Sequence, residues 1–128
     1  MFGGVGQRLE PPDAMIEDGE HNCYIIRYMQ DRIEDLEQLR HCYQSAADRY
    51  YFARAESSSD LPELYIVFLC NYDYYGLGHA MYYMDDIYDG YEIDNGRHMV
   101  ILNSRYRVAN AAPQIIGVLD SIRAKEDS

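Results

Sequence analysis

The longest apolar run in the chain covers residues 64–70 (LYIVFLC) and contains no polar interruption. An unbroken run of this length is typical of a strand buried on both faces of a sheet. It leads into a polar, aromatic turn at residues 71–78 (NYDYYGLG), which two glycines punctuate. We therefore expect residues 64–70 to form the central strand of a sheet and residues 71–78 to lie at its edge.

The segment before this strand predicts a β-hairpin. Residues 13–17 (DAMIE) and 23–30 (CYIIRYMQ) flank the polar tract 18–22 (DGEHN), which contains an Asp-Gly pair. Alternation along the second strand would place four side chains on one face. These are Tyr24, Ile26, Tyr28 and Gln30.

The remaining pattern completes a mixed α/β (α+β) domain. Apolar positions at steps of three and four residues predict a helix over residues 31–54. Residues 79–84 read as a strand paired to the central one, residues 98–103 as a further strand, and residues 113–125 as a closing amphipathic helix. The predicted order is β-β-α-β-β-β-α, in one domain over residues 1–128 whose first twelve residues are loosely ordered.

The charge balance changes the range of expected partners. Asp and Glu number 22 against 11 Lys and Arg, which gives a formal net charge of -11. Such an excess repels phosphate backbones, so it disfavours direct DNA binding and favours a basic protein as partner. The sequence has no apolar run of membrane-spanning length and no signal-peptide pattern at its start, which predicts a cytoplasmic protein without a membrane association.

The thiols and histidines suggest no site of their own. The three cysteines, Cys23, Cys42 and Cys70, fall in apolar segments and are expected to be reduced and partly buried. His21 with Cys23, and His41 with Cys42, fit no common zinc spacing.

Several motifs resemble the PD-(D/E)XK nuclease family transposases, the group related to recombination-promoting nucleases. Residues 68–78 match the family's apolar strand and glycine turn, residues 81–83 its aromatic strand, and residues 101–105 its strand ending in Leu-Asn. Residues 42–45 (CYQS) with Asp48 resemble its Tyr-Tyr-Gln-Ser helix signature. The resemblance implies a restriction-endonuclease-like core, shortened at its N-terminus.

The resemblance also implies a Mg²⁺ site, in which two acids hold the ion and a Lys or Gln orients the attacking water. Asp13 matches the first acid and Gln30 the water-orienting residue, but Tyr28 stands where the second acid belongs. A phenol is neutral at physiological pH and is a poor ligand for magnesium. Glu17 or Glu20 from the hairpin would be needed to replace the missing carboxylate.

An acidic, tyrosine-rich tract offers a different function. We interpret the carboxylates of residues 82–94 (YYMDDIYDGYEID) as spaced along a surface, where they imitate phosphates, with tyrosines filling a groove that would otherwise stack bases. The proposed partner-binding residues are Asp85, Asp86, Asp89, Glu92, Asp94, Tyr82, Tyr83, Tyr88, Tyr91, Tyr74 and Tyr75.

The leading hypothesis is thus a catalytically inactive nuclease-like protein that binds a basic nucleic-acid-binding protein as an acidic DNA mimic. A phage or mobile-element inhibitor such as an anti-CRISPR would fit this description. It needs no cofactor. The alternative, a Mg²⁺-dependent DNA endonuclease with a rearranged site on Asp13 and Gln30, stays open, and so does a solvated acidic loop without a binding role.

Overall fold

The computed structural model describes residues 10–32, 35–88 and 91–128, with side chains for all of these except residues 58, 86–88 and 91–94. The predicted loose entry, residues 1–12, therefore lies outside the described residues except for residues 10–12.

The element order agrees with the order predicted from the sequence. The strands are β1 (Ala14–Glu17), β2 (Asn22–Met29), β3 (Glu63–Cys70), β4 (Met81–Tyr88) and β5 (Tyr91–Asn103), and the helices are α1 (Leu36–Phe52) and α2 (Pro113–Glu126). A single turn of 3-10 helix, Ser58–Asp60, precedes β3. The fold is mixed α+β, as expected.

The five strands form one sheet in the order β1-β2-β3-β5-β4. Strand β3 lies at the centre as predicted and runs parallel to both β2 and β5, whereas β1 and β4 pair antiparallel at the two edges. The prediction that residues 79–84 pair with the central strand is wrong. Strand β4 pairs with β5 instead, because the two form an antiparallel hairpin while β5 takes the place beside β3.

That hairpin also argues against the alternative of a solvated loop for the acidic tract. Its backbone continues as strand through Tyr88 and resumes at Tyr91, with Asp86 opposite Ile93 and Ile87 opposite Glu92. Ladder hydrogen bonds to a neighbouring strand outweigh the low strand propensity of aspartate, which is a weak and context-dependent preference.

Helix α1 covers one face of the sheet. Leu36, Tyr43 and Ala47 of the helix are fully buried against Ile25 of β2 and Ile66 of β3. The helix begins at Leu36 rather than at Asp31, because the Asp35 side chain accepts a hydrogen bond from the Gln38 N–H at 3.0 Å and caps the first turn. The buried face of the sheet thus faces α1, and we call the opposite face, which α2 borders at the C-terminal ends of β2 and β3, the open face.

Helix α2 lies beside the C-terminal ends of the parallel strands. Arg123 donates from Nε to the Ser104 carbonyl just after β5 at 2.7 Å, and Asn71, just after β3, donates to Glu126 at 2.9 Å. Neither helix in the described ranges has the length and apolar character needed to cross a membrane.

Candidate functional site

The residues that the resemblance assigns to chemistry meet at the C-terminal end of β2. Asp13, Tyr28, Gln30 and Asp31 line one cleft of 480 Å³ beside the start of β1. The Asp13 carboxylate accepts a hydrogen bond from the Tyr28 N–H at 2.5 Å, which fixes the start of β1 against the end of β2. Asp13 and Gln30 are therefore neighbours, as the sequence predicts.

This donor set does not fit the magnesium site that the resemblance implies. Tyr28 supplies a phenol where a carboxylate is needed, so Asp13 is the single carboxylate of the expected pair. Glu10, which also lines the cleft, is paired with Arg27. Within the described residues, no group of three or more His, Cys, Asp and Glu side chains is arranged to hold a metal ion.

The two glutamates considered as replacements are at the wrong end of the hairpin. Glu17 is opposite Cys23, at the far end of β1 from Asp13, and its carboxylate accepts a hydrogen bond from Tyr51. Glu20 lies in the turn that follows β1. Asp31 also lines the cleft, because β2 ends at Met29 and strand alternation stops there.

A second cleft of 740 Å³ adjoins the first on the α2 side. It shares Tyr28, Gln30 and Asp31 with the first cleft, and α2 contributes Ile122 and Lys125 to its lining. Ligands of open α/β sheets bind at this edge, outside the carboxyl ends of parallel strands. The position is thus suited to a small ligand, although its side chains do not define a reaction.

The turn after β3 is held by one carboxylate. Asp73 accepts hydrogen bonds from the Gly76 N–H at 2.9 Å, the Gly78 N–H at 2.7 Å and the Tyr82 hydroxyl at 2.8 Å. Burial acts to raise the pKa of Asp73, but these hydrogen bonds and nearby Arg107 outweigh it and hold the pKa below its ordinary value. Gly78 has a φ of 78°, and a Cβ there would lie 2.9 Å from Arg107 Nε. The hydrogen bonds to Asp73 therefore fix the conformation of the turn.

The sheet divides the predicted partner-binding residues between its two faces. Tyr74 and Tyr82 pack against the core on the α1 side, where Tyr75 joins them with its ring centroid 5.0 Å from that of Tyr82. Tyr83 and Asp85 lie on the open face, since they alternate with Tyr82 and Met84 along β4. The structure thus does not bring these residues into one surface.

The other members of that set fall where side chains are not described. Asp89 lies outside the described residues. Asp86, Tyr88, Tyr91, Glu92 and Asp94 belong to the β4–β5 hairpin by their backbone, and their side chains lie outside the described part of the structure.

Four aromatic rings cross the open face from β2 to β4, and we call them the aromatic row. The ring centroids of Tyr24 and Tyr65 are 5.0 Å apart, those of Tyr65 and His98 are 4.7 Å apart, and those of His98 and Tyr83 are 5.7 Å apart. The in-register pairing places Tyr24 beside Tyr65 and Tyr65 beside His98 on adjacent strands. Such stacked contacts between rings are favourable beyond the area they bury.

Two carboxylates flank the row at His98. Nε2 of His98 lies 2.7 Å from Glu63 Oε2, and Nδ1 lies 2.5 Å from Asp85 Oδ1 and 2.8 Å from the Tyr83 hydroxyl. Burial acts to lower the pKa of His98, but the hydrogen bonds and charges of Glu63 and Asp85 outweigh it, so the pKa is raised above its ordinary 6.5. A protonated imidazole donates to both carboxylates at once, and the group of three then carries one net negative charge.

Sequence reasoning missed most of this row. Tyr65 and His98 were placed within predicted strands, and alternation indicated that Tyr24 shares a face with Ile26, but nothing joined these positions across strands. The available signal is the alternation of side chains along each strand, which assigns each ring of the row to a face once the strands are known. The register that aligns them is a tertiary property.

Comparisons with protein-family models, with curated proteins and with solved structures each find no match to this chain.

Proposed function

We propose that this protein acts by binding a basic, nucleic-acid-binding protein and that it does not catalyse nucleic acid cleavage. The observation that carries the proposal is the open face, where Tyr83 and Glu63 are solvent-exposed beside Asp85 in a chain of net charge -11. Aromatic rings next to carboxylates suit a partner that presents cationic side chains. An inhibitor that occupies the nucleic-acid site of such a partner, as an anti-CRISPR does, is the biological role we favour.

The ancestry that we propose is a degenerate PD-(D/E)XK nuclease. The neighbouring positions of Asp13, Tyr28 and Gln30 support it, because a nuclease that loses its second acid would retain this geometry. Asp13 is the one carboxylate that remains of the expected pair, which supports the loss of nuclease activity.

Binding is tested with protamine as a basic protein probe, at low and moderate salt. We expect wild-type protein to bind with a strong salt dependence, and the double substitution Glu63→Gln with Asp85→Asn to weaken binding by about tenfold. The matched control is Glu37→Gln with Glu56→Gln, which removes the same charge from two exposed positions outside the open face. Equal loss in both double variants would show that net charge alone is responsible and would contradict a role for the open face.

The inhibitory role is tested by adding the protein to purified CRISPR effector complexes and other nucleic-acid-binding proteins and measuring their DNA binding. Inhibition that is reversed by the open-face double substitution is the expected result. Unchanged DNA binding across the panel would refute the inhibitor role.

One observation favours the alternative function. Asp31 lines the same cleft as Asp13 and Gln30, so a rearranged site has a second carboxylate within the cleft. A Mg²⁺-dependent endonuclease of this kind would cleave plasmid DNA, and Asp13→Ala would abolish the cleavage. We expect no cleavage with Mg²⁺ or Mn²⁺; cleavage sensitive to Asp13→Ala would replace our proposal.

A further inference from the structure

The end of the aromatic row at Tyr83 has one side that no neighbouring strand covers. Strand β4 is an edge strand of the sheet that the structure describes, and the Tyr83 ring contacts His98 on its inner side. By contrast, Tyr65 is stacked between Tyr24 and His98. Tyr83 is also 48% exposed, although it lies on a strand of a packed sheet.

The Tyr83 ring is held in place before any partner arrives. Its hydroxyl lies 2.8 Å from His98 Nδ1, and His98 is itself fixed between Glu63 and Asp85. A ring with a fixed orientation loses little conformational freedom on binding, which favours affinity. Burial and the nearby Asp85 carboxylate raise the pKa of Tyr83 to about 12, so the hydroxyl keeps its proton at neutral pH.

The chemistry around the ring selects a cation. Asp85 is two residues from Tyr83 on the same face of β4, and its side chain is 24% exposed. His98 takes one of the acceptor positions of this carboxylate, and a carboxylate has about four. A planar group that both stacks on an aromatic face and donates to a carboxylate at the same time is a guanidinium, whereas a lysine ammonium is a compact point charge.

We infer that Tyr83 and Asp85 form a binding site for an arginine side chain of the partner protein, with the guanidinium stacked on the outer face of Tyr83 and hydrogen-bonded to Asp85. This inference rests on the proposed function, since it names the side chain by which a basic partner is recognised. Charge complementarity between the acidic open face and a cationic partner supports arginine as the occupant.

The experiment compares two peptide probes that differ in one residue type. One is a short peptide of alternating arginine and glycine, and the other has every arginine replaced by lysine. Binding to the full chain is measured by calorimetry, and the location is read from the tyrosine ring signals in NMR spectra. We expect the arginine peptide to bind about tenfold more tightly, and the Tyr83 signals to shift.

Substitutions test whether Tyr83 is responsible for the preference for the arginine peptide. Tyr83→Leu should remove the preference for arginine, whereas Tyr83→Phe should keep it because the ring face remains. The matched control is Phe52→Leu, since Phe52 is an exposed aromatic residue at the end of α1. Thermal unfolding of each variant establishes that it is folded, which the exposure of both side chains favours.

The outcomes separate the two proposals. Equal binding of both peptides, or an arginine preference that survives Tyr83→Leu, would overturn the arginine site and leave the basic partner intact. Failure of both peptides to bind would overturn the proposed function as well. Shifts of Tyr83 with a single-stranded RNA probe, or a dimer in sedimentation that Tyr83→Leu dissociates, would assign this surface to another occupant and overturn the inference.

Discussion

Tyr65 and His98 stack with their ring centroids 4.7 Å apart and their planes 27° apart, at opposing positions of the parallel strands β3 and β5. The contact joins the central strand to the strand that carries the acidic hairpin. It also brings His98 within reach of Glu63 on β3 and Asp85 on β4, so that one histidine connects three strands.

The raised pKa of His98 predicts a pH-dependent contribution to stability. The groups that face it are Glu63, Tyr65, Tyr83 and Asp85. Below the ordinary pKa of 6.5 the imidazole is protonated in both the folded and the unfolded chain, and its stabilising contacts are fully present. As the pH rises through the higher folded-state pKa, the proton and this stabilisation are lost.

We therefore expect His98→Gln to lower the free energy of unfolding by about 1–2 kcal/mol near pH 6 and by less at alkaline pH. Urea unfolding of both proteins across this pH range measures the difference. A difference that stays constant with pH would contradict a charged His98 in the folded state.

Asp48 of α1 and Arg97 of β5 form a buried ion pair. We expect the stability of the fold to depend strongly on it. Arg97 Nε lies 2.7 Å from Asp48 Oδ1, and the arginine side chain is only 9% exposed. Asp48→Ala leaves this cation without its partner, so we expect a loss of about 2–4 kcal/mol. Combining it with Arg97→Met should recover part of that loss, since the double variant buries no unpaired charge. The idea fails if Asp48→Ala changes the urea midpoint no more than Glu56→Ala, a change at an exposed position.

Substitutions that remove hydrogen bonds of the Asp73 turn should lower the stability of the protein without weakening its binding of the arginine peptide. Asp73→Ala removes the acceptor for the Gly76 and Gly78 N–H groups and for the Tyr82 hydroxyl, which should cost about 2–3 kcal/mol. Tyr82→Phe removes one of these donors and should cost about 1 kcal/mol. Thermal unfolding measures both variants. Under conditions where they stay folded, affinity for the arginine peptide should not change, because the turn lies on the α1 side of β4.

The three cysteines should react with alkylating reagents at different rates. Cys23 and Cys70 are fully buried, and burial raises the pKa of Cys70 to about 11. Cys42 is only half-buried on α1. Since the thiolate is the reactive form, we expect Cys42 to be alkylated first in the native protein and the other two only after unfolding. Peptide mapping by mass spectrometry identifies the modified residue, and early labelling of Cys70 would contradict the buried environment.

The candidate site could be predicted in part. The resemblance placed Asp13 beside Gln30, and the structure puts both in one cleft because the Asp13 carboxylate is bonded to the Tyr28 backbone. The acidic tract combines carboxylates with tyrosines, yet Tyr82 and Tyr83 lie on opposite faces of β4. Adjacent residues of a strand point to opposite faces, so grouping these two side chains on one surface is incorrect.

The sequence alone determined the order of the elements and the central position of residues 64–70. These depend on local periodicity and on continuous apolar runs. Both are properties of a single strand or helix and do not depend on which elements it packs against. Only the tertiary structure decided that β5 rather than β4 lies beside β3, and in which register. That choice depends on packing between residues far apart in the chain, and it alone aligns Tyr24, Tyr65, His98 and Tyr83 into one row.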